Sequence, residues 1–461
     1  MNQLPNSIEA RDARVHMHPY TDARKLEGEG PTVMAKGEGI HVWDTNGKKY
    51  IEGMAGLWSV GIGFSEPRLV DAAARQMAEL PYYHTFAMRS HTPAVELAEK
   101  LIEMAPGHLD RPMSKVFFTN SGSEANDTVV KMIWYRANAM GQPQRKKIIG
   151  RIRGYHGITI ASGSMTGLPA NHGSFDLPLP GFLHTGSPHH WREAAAGESE
   201  EDFSARRAAE LEELILAEGP DTIAAFIGEP VMGAGGVIVP PKGYWDAISK
   251  VLKKYDILLI AYEVINGFGR TGSMWGTETY GIQPDIMVMS KQLSSSYLPI
   301  SAIMLNDRVF DPIADESNRI GTFGHGFTGG GHPVAAAVAL ENLKIIEERD
   351  LLGNVRAVGP VLQKRLAALA DHPLVGEHRG IGLIAALELV TDKSARTALE
   401  KPGALGAQVT GAALEGGLIS RAMGDAMAFC PPMIITEAQV NEVADIAERA
   451  LDTTAKAHGL M

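Results

Sequence analysis

Short apolar runs that end in small polar turns recur along this chain and alternate with longer patterns of helical spacing. The alternation begins near Pro67, and two of the runs, 226–229 and 257–261, lead into polar or glycine-rich sequence. Alternation of this kind is typical of a parallel sheet whose strands are joined by helices. Because ligand sites in such sheets gather at the carboxyl ends of strands, the residues after each run are the candidate functional residues.

The length of 461 residues allows a large core and more than one domain. We predict an α/β architecture with a mostly parallel central sheet wrapped by helices, plus a smaller α+β domain. The large domain is expected over 67–334, with 1–66 and 335–461 contributing to the smaller one. Within these flanking segments the sequence predicts a β-hairpin over 39–51 and a strand over Gly380–Leu389. A long helix is expected from the start of the C-terminal segment.

Composition and charge argue against several classes of protein. The formal net charge is −11 at pH 7 with both signs dispersed, which argues against nucleic acid as a partner. The single cysteine, Cys430, excludes an intrachain disulfide and suits a reducing compartment. The N-terminal residues lack the basic and apolar regions of a secretory signal, and no apolar stretch is long enough to span a bilayer. We therefore expect a cytoplasmic protein without a membrane partner. No metal is expected, because no histidine–carboxylate spacing resembles a zinc motif.

Lys291 directly follows the apolar run 286–289 and Ser290, which places an amine at the buried end of a predicted strand. Removing an ammonium from water is costly, so a buried lysine usually has a function. Desolvation lowers its pKa and produces a neutral amine that can form a Schiff base. Taken alone, a surface lysine after a strand would be the commoner interpretation, but the neighbouring stretches favour the functional one.

A strand, a small polar turn and a helix are predicted in succession around Ser121–Asn126. The backbone N–H groups at such a helix start, together with the hydroxyls of Ser121 and Ser123, predict a phosphate-binding cup. An ordinary helix cap is the structural alternative.

Several stretches together carry a resemblance to a known family. In chain order they are Ser121–Asn126, Gly154–Gly157, Gly228–Pro230, Glu263–Val264, Gly267–Gly272, Ser290–Lys291, Gly324–Thr328 and Gly331–Pro333. The chain resembles the class III (ω-type) aminotransferases, which are pyridoxal-phosphate enzymes of fold type I, and within them the amine:pyruvate branch. The resemblance implies ping-pong transfer of an amino group from an amine or ω-amino acid to a keto acid such as pyruvate.

The resemblance also assigns residues to the cofactor. It implies that Lys291 forms the Schiff base and moves the proton during catalysis, while Tyr155 and Val264 contact opposite faces of the cofactor ring. Glu229 is expected near the phenolic oxygen of the cofactor, and His156 is interpreted as structural. The complete cofactor-binding set is Ser121, Gly122, Ser123, Tyr155, His156, Glu229, Tyr262, Val264, Lys291 and Thr328.

Four positions are implied on the substrate side. Trp58 and Phe86 correspond to aromatic walls of the pocket, for which core or interface packing is the alternative, and Tyr155 is also assigned to the substrate side. Arg421 corresponds to an arginine that binds a substrate carboxylate, and a surface ion pair is its alternative. Thr328 is implied to reach the cofactor phosphate of a neighbouring subunit. The resemblance therefore predicts a homodimer or a dimer of dimers.

Tyr262 departs from the family, which has aspartate before the Glu-Val pair. In the family that carboxylate keeps the ring nitrogen of the cofactor protonated, and a neutral phenol cannot supply the charge. Turnover is therefore expected to be impaired.

Three alternatives stay open: an aminomutase or decarboxylase on the same fold, a cofactor-binding protein with little turnover, and an interaction protein that has lost the cofactor. The intact Lys291 and phosphate cup argue against the last. A second departure, Gly329 within a run of three glycines, is expected to loosen its loop.

Overall fold

The computed structural model describes residues 6–461, so residues 1–5 of the N-terminal segment lie outside the described part. The strands are β1 Met34–Glu38, β2 His41–Asp44, β3 Lys49–Glu52, β4 Met113–Thr119, β5 Lys147–Arg151, β6 Phe182–Thr185, β7 Ile223–Gly228, β8 Leu258–Tyr262, β9 Ile286–Met289, β10 Ser301–Asn306, β11 Val375–Ile381, β12 Ile384–Leu389, β13 Leu418–Ile419, β14 Arg421–Met423 and β15 Ala426–Phe429.

The α-helices are α1 Ile8–Val15, α2 Ala23–Glu29, α3 Ala55–Trp58, α4 Pro67–Glu79, α5 Thr92–Glu103, α6 Gly122–Ala139, α7 Ile160–Met165, α8 His190–Glu193, α9 Glu200–Glu218, α10 Tyr244–Lys254, α11 Gly276–Thr279, α12 Asp307–Ile320, α13 Pro333–Glu348, α14 Leu351–Ala367, α15 Ala404–Glu415 and α16 Glu437–Ala457. Across residues 6–461, no helix combines the length and the apolar content that crossing a bilayer requires.

The central sheet has seven strands in the order β4-β10-β9-β8-β7-β5-β6. Neighbours from β9 through β6 pair in parallel, and β10 runs antiparallel to both β9 and β4. The prediction of a mostly parallel sheet in an α/β fold is therefore confirmed. The carboxyl ends of β7, β8 and β9 meet at one edge, where the register pairs Gly228 with Ala261 and Tyr262 with Val288.

Alternation along β8 assigns its side chains to the two faces of the sheet. Leu258, Ile260 and Tyr262 pack in the same apolar cluster as Val129 of α6. Leu259 points to the opposite face and packs with residues of α9 and α10. Because successive side chains of a strand point to opposite faces, Tyr262 is directed toward helix α6.

Two smaller sheets flank the central one, in the orders β1-β2-β3-β13 and β11-β12-β15-β14. The predicted hairpin over 39–51 is confirmed as β2 and β3, which are joined by a turn with Gly47 at a φ of +80°. Strand β13 pairs in parallel with β3, so segments from both ends of the chain share one sheet. This pairing accords with the proposed grouping of 1–66 with 335–461, although the domain boundaries stay a prediction. The long helix expected after residue 333 is confirmed as α13.

The single strand predicted over Gly380–Leu389 is wrong, because the segment forms the end of β11, a tight turn and β12. Gly382 makes the turn with a φ of +55°, a backbone conformation that favours glycine. A side chain there would also approach the Arg270 carbonyl oxygen to 2.5 Å. The apolar pattern continues through the turn because Leu383 is itself buried, which concealed the break in the sequence.

A buried ionic network joins β11 and β12 to helix α8 and to the loop after β7 that contains Gly236. Arg379 lies 2.6 Å from carboxylate oxygens of both Glu377 and Glu388, and its Nε donates to the Gly236 carbonyl oxygen at 3.0 Å. Arg192 binds Glu388 at 2.7 Å. Burial alone would raise the pKa of Glu388, but the surrounding positive charges, Arg379 foremost, lower it to about 2.

We predict that Glu388→Gln lowers the free energy of unfolding at pH 7 by about 3 kcal/mol, since the buried Arg379 and the partly buried Arg192 lose their shared anion. The folded-state pKa lies below the ordinary value of 4.5, so the stabilisation is complete above that pH and is lost as the pH falls toward 2. Urea unfolding at pH 7 and pH 4 measures the difference. The exposed Glu400→Gln is the control, and an unchanged free energy for Glu388→Gln would contradict the network's contribution.

Candidate active site

Lys291 follows β9 in a left-handed backbone conformation with a φ of +44°. This conformation is uncommon for a residue with a side chain and needs support from the surrounding structure. The preceding Ser290 supplies part of it, because its hydroxyl donates to the Ile300 carbonyl oxygen and accepts from the Ser301 hydroxyl at 2.6 Å. The position predicted for Lys291, at the buried end of a strand, is confirmed.

The electrostatic surroundings of Lys291 favour a neutral amine. Desolvation lowers its pKa to about 8, with Glu229 opposing this shift and Arg421 adding to it. No carboxylate within residues 6–461 forms an ion pair with its Nζ. An amine with a pKa near 8 is partly unprotonated at neutral pH, as a nucleophilic lysine requires.

Glu229 lies at the end of β7 and is buried. Its carboxylate accepts from the backbone N–H groups of Tyr155 at 3.1 Å and Gly233 at 2.8 Å. Burial raises the pKa of Glu229, an effect that these two hydrogen bonds and the nearby Arg151 partly oppose. The carboxylate therefore connects the 154–157 loop to the edge of the sheet at which Lys291 lies.

The start of α6 presents free backbone donors. Ser121 caps the helix through its hydroxyl, which accepts from the Glu124 N–H at 3.2 Å. The N–H groups of Gly122 and Ser123 have no acceptor among the described residues. The Ser123 hydroxyl accepts from the Ile158 N–H at 3.1 Å. Unpaired donors at the start of an 18-residue helix form an anion-binding site, which fits the predicted phosphate cup.

Gly122 lies where α6 meets the ends of β8 and β9. A Cβ atom on this glycine would lie 3.2 Å from the Tyr262 hydroxyl, 3.6 Å from Val264 Cγ2 and 3.8 Å from Ser290 Cβ. Tyr262 is only 3% exposed, and burial raises its pKa well above the usual range. The neutral phenol therefore extends from the sheet edge to the phosphate cup.

His156 lies edge-on to the ring of Tyr262, with ring centroids 5.1 Å apart and an interplanar angle of 89°. Its backbone is held by Thr166 and Asn126, but neither ring nitrogen has a hydrogen-bond partner in the described structure. Burial holds the pKa of His156 well below its usual range, so the ring is neutral. Buried polar atoms are rarely left unpaired, which makes this histidine unusual.

Tyr20 was not found by sequence reasoning but lies beside Tyr155. Burial raises the pKa of Tyr155, and the neighbouring Tyr20 hydroxyl raises it further, while Arg421 has the opposite effect. The Tyr20 hydroxyl also accepts from Asn171 Nδ2 at 2.5 Å. Its place is far from every motif in the sequence, and no local pattern could have identified it.

Three of the predicted site residues make no hydrogen bond or ring contact with this group in the described structure. Trp58 is buried in an apolar cluster that includes Ile265 and Cys430. Phe86 is 45% exposed and packs against Gly326, whose added Cβ would lie 2.9 Å from Phe86 Cζ. Thr328 is exposed on the same loop as Gly326. The roles of these three residues in binding stay predictions.

The model of the protein family described as Aminotransferase class-III matches residues 24–451 of this chain. This chain belongs to the class III aminotransferases. An omega transaminase from Pseudomonas jessenii, solved in complex with PMP, is 61% identical, with a TM-score of 0.97 and coverage of 98% of this chain and 99% of the other.

Two further relatives broaden the comparison. A solved structure described as a transaminase with L-ala is 66% identical, with a TM-score of 0.91 and coverage of 92% and 99%. A mitochondrial gamma aminobutyrate transaminase from Solanum lycopersicum is 49% identical over 95% of this chain and 84% of its own length. The predictions of a fold type I transaminase and of pyridoxal phosphate as its cofactor are confirmed at the level of the family.

The residues of this class III aminotransferase fit pyridoxal phosphate at two of three points. The free N–H groups of Gly122 and Ser123 suit its phosphate, and the amine of Lys291 suits its aldehyde. The third point does not fit. Tyr262 offers neither the carboxylate nor the open space that the nitrogen-bearing end of the ring requires.

We predict that borohydride reduction at saturating pyridoxal phosphate attaches a pyridoxyl group to the peptide containing Lys291. Labelling should increase as the pH rises through about 8, because the neutral amine is the reactive form. Peptide mass spectrometry locates the label, and Lys291→Arg should abolish it. Lys146, whose pKa burial also lowers, provides the control variant Lys146→Arg. A label on another lysine with Lys291 unmodified would refute the assignment.

Proposed function

We propose that this class III aminotransferase transfers an amino group from an amine or ω-amino acid to a small keto acid such as pyruvate. The unpaired guanidinium of Arg421 is the observation that carries the proposal. Omega transaminases among the structural relatives and the gamma aminobutyrate transaminase support the donor class. The relative described with L-ala supports pyruvate, because alanine is the product of pyruvate amination.

Arg421 begins β14 and is partly buried. Its charge acts on both Lys291 and Tyr155. None of the described carboxylates forms an ion pair with it, whereas arginines elsewhere in the chain commonly have such a partner. A planar guanidinium without an internal anion is suited to bind a substrate carboxylate through two parallel hydrogen bonds. The surface ion pair considered as an alternative is therefore not formed in the described chain.

The remaining residues are assigned supporting roles. When bound, pyridoxal phosphate withdraws electrons from the carbon that carries the transferred amino group. With the cofactor bound, Lys291 Nζ would take the proton from that carbon and return it. The N–H groups of Gly122 and Ser123 would hold the phosphate, and Tyr155 and Val264 would contact the two faces of the ring. Glu229 fixes the 154–157 loop through the Tyr155 N–H.

We predict that Arg421→Ala raises the KM for pyruvate by about one hundredfold, since a charge-assisted hydrogen-bonded pair contributes about 2–3 kcal/mol. The KM for an uncharged aryl amine should change less than about threefold, because that donor carries no carboxylate. Steady-state kinetics that vary each substrate in turn measure both effects. The exposed Arg449→Ala is the matched control. Equal changes for both substrates would remove Arg421 from the carboxylate site.

We also propose that two copies of the chain form each active unit. Phe86, Tyr82 and Met88 are exposed on one short segment, and the Tyr82 hydroxyl donates to the Thr328 carbonyl oxygen at 3.0 Å. Exposed apolar side chains grouped in this way are typical of a protein interface. In the proposed dimer, Phe86 and Thr328 reach the partner's site. A dimer of dimers is compatible with this arrangement.

We predict that Thr328→Ala weakens retention of pyridoxal phosphate by about 1–2 kcal/mol, because one hydrogen bond to the charged phosphate is lost. Thr328→Ser keeps the hydroxyl and should retain the cofactor. Equilibrium dialysis measures retention, and light scattering measures the oligomeric state of both variants. A fully active monomer would contradict the proposal.

A cytoplasmic location stays a prediction, and the tomato relative is named as mitochondrial.

A further inference from the structure

We infer that the phenol ring of Tyr262 occupies the space in which the ring of pyridoxal phosphate must lie, so that the cofactor binds only when this side chain rotates away. The inference rests on the proposed function, since it assumes that the site at Lys291 is the cofactor site. It concerns steric exclusion and is separate from the loss of charge that the substitution of aspartate also causes.

The geometry around Gly122 indicates the exclusion. The Tyr262 hydroxyl lies 3.2 Å from the position of a Cβ on Gly122, and Val264 Cγ2 lies 3.6 Å from that position. The cup at Gly122 marks the phosphate end of the cofactor site, and Val264 marks one face of its ring. A group held at the cup and covered by Val264 must therefore use the volume that the phenol fills.

An aspartate at residue 262 would leave this volume open. Its carboxylate oxygens lie two bonds beyond Cβ, whereas the phenol hydroxyl lies five bonds beyond it. The ring of His156 gives independent support, because it makes an edge-to-face contact with Tyr262 and neither of its nitrogens has a hydrogen-bond partner in the described structure. A short polar side chain at position 262 could have hydrogen-bonded this histidine, but the edge of a phenyl ring cannot. The surroundings of residue 262 thus suit a smaller, polar group.

Packing holds the phenol in this position. Tyr262 is buried in an apolar cluster with Val129, Val264 and Val288, and it makes an edge-to-face contact with His156. Rotation would break these contacts, so the open conformer is a minor one. If it is populated to about 1%, the apparent affinity for the cofactor falls about one hundredfold. This would give a protein that retains the chemical groups of a transaminase but binds its cofactor weakly.

The experiment separates volume from charge through three substitutions at one position. Tyr262→Phe keeps the ring, Tyr262→Asn removes the ring without adding charge, and Tyr262→Asp also restores the carboxylate. Each protein is stripped of cofactor, and the Kd for pyridoxal phosphate is measured by equilibrium dialysis. Borohydride trapping at Lys291 gives a second readout that does not depend on turnover. Tyr135→Asn, at a partly buried tyrosine that lies edge-on to Phe323, controls for general loosening.

We expect the unchanged protein and Tyr262→Phe to bind alike, and Tyr262→Asn to bind about one hundredfold tighter. Tyr262→Asp should bind at least as tightly as Tyr262→Asn, and Tyr135→Asn should show no gain. The inference is overturned if Tyr262→Asn binds no better than the unchanged protein while Tyr262→Asp does, because charge alone would then explain the effect. It is also overturned if the unchanged protein binds as tightly as Tyr262→Asp.

Failure of the proposed function would give a different result. If Tyr262→Asp keeps its circular dichroism and melting temperature but neither binds pyridoxal phosphate nor labels Lys291, the site is not a cofactor site, and both proposals fall. If Tyr262→Asp binds cofactor and aminates pyruvate while the unchanged protein binds equally well, only the steric inference falls.

Discussion

Parallel pairing of β7, β8 and β9 is the constraint on which the site depends. Parallel strands place their carboxyl ends at one edge, and the register of these three pairs Gly228 with Ala261 and Ala261 with Met287. The residues that follow each strand are consequently neighbours in space although they are far apart in the chain. Glu229, Tyr262 and Lys291 meet for this reason, and the N-terminus of α6 faces them from across the sheet edge.

The charged groups at this edge, Lys291, Glu229 and Arg421, lie near one another without forming ion pairs. Lys291 has an anion nearby in Glu229 and a cation nearby in Arg421, but its amine forms no ion pair with Glu229. Glu229 is occupied by backbone N–H groups, which keeps it from neutralising the lysine directly. The amine therefore stays available for a covalent bond, and the guanidinium stays available for an external anion. A close lysine–carboxylate pair in the same place would have kept the amine protonated and unreactive.

Sequence patterns predicted the parts of this structure that depend on local rules. The strand before Lys291, the helix that Ser121 caps and the hairpin over 39–51 all follow from apolar runs and turn residues, which have short-range causes. The break at Gly382 was missed because the buried Leu383 continues the apolar pattern across the turn. Tyr20 was missed because only tertiary packing brings it to Tyr155. The role of Phe86 stays a prediction, because its ring is half-exposed and packs against Gly326.

The position of Tyr20 has a practical consequence for handling the protein. The segment that follows α1 is largely exposed, but it brings the Tyr20 hydroxyl between Tyr155 and Asn171 at the site. A purification tag fused ahead of α1 would begin only a short distance along the chain from Tyr20. Helix α16 ends far along the chain from any residue of the site, so the carboxyl terminus is the safer point of attachment.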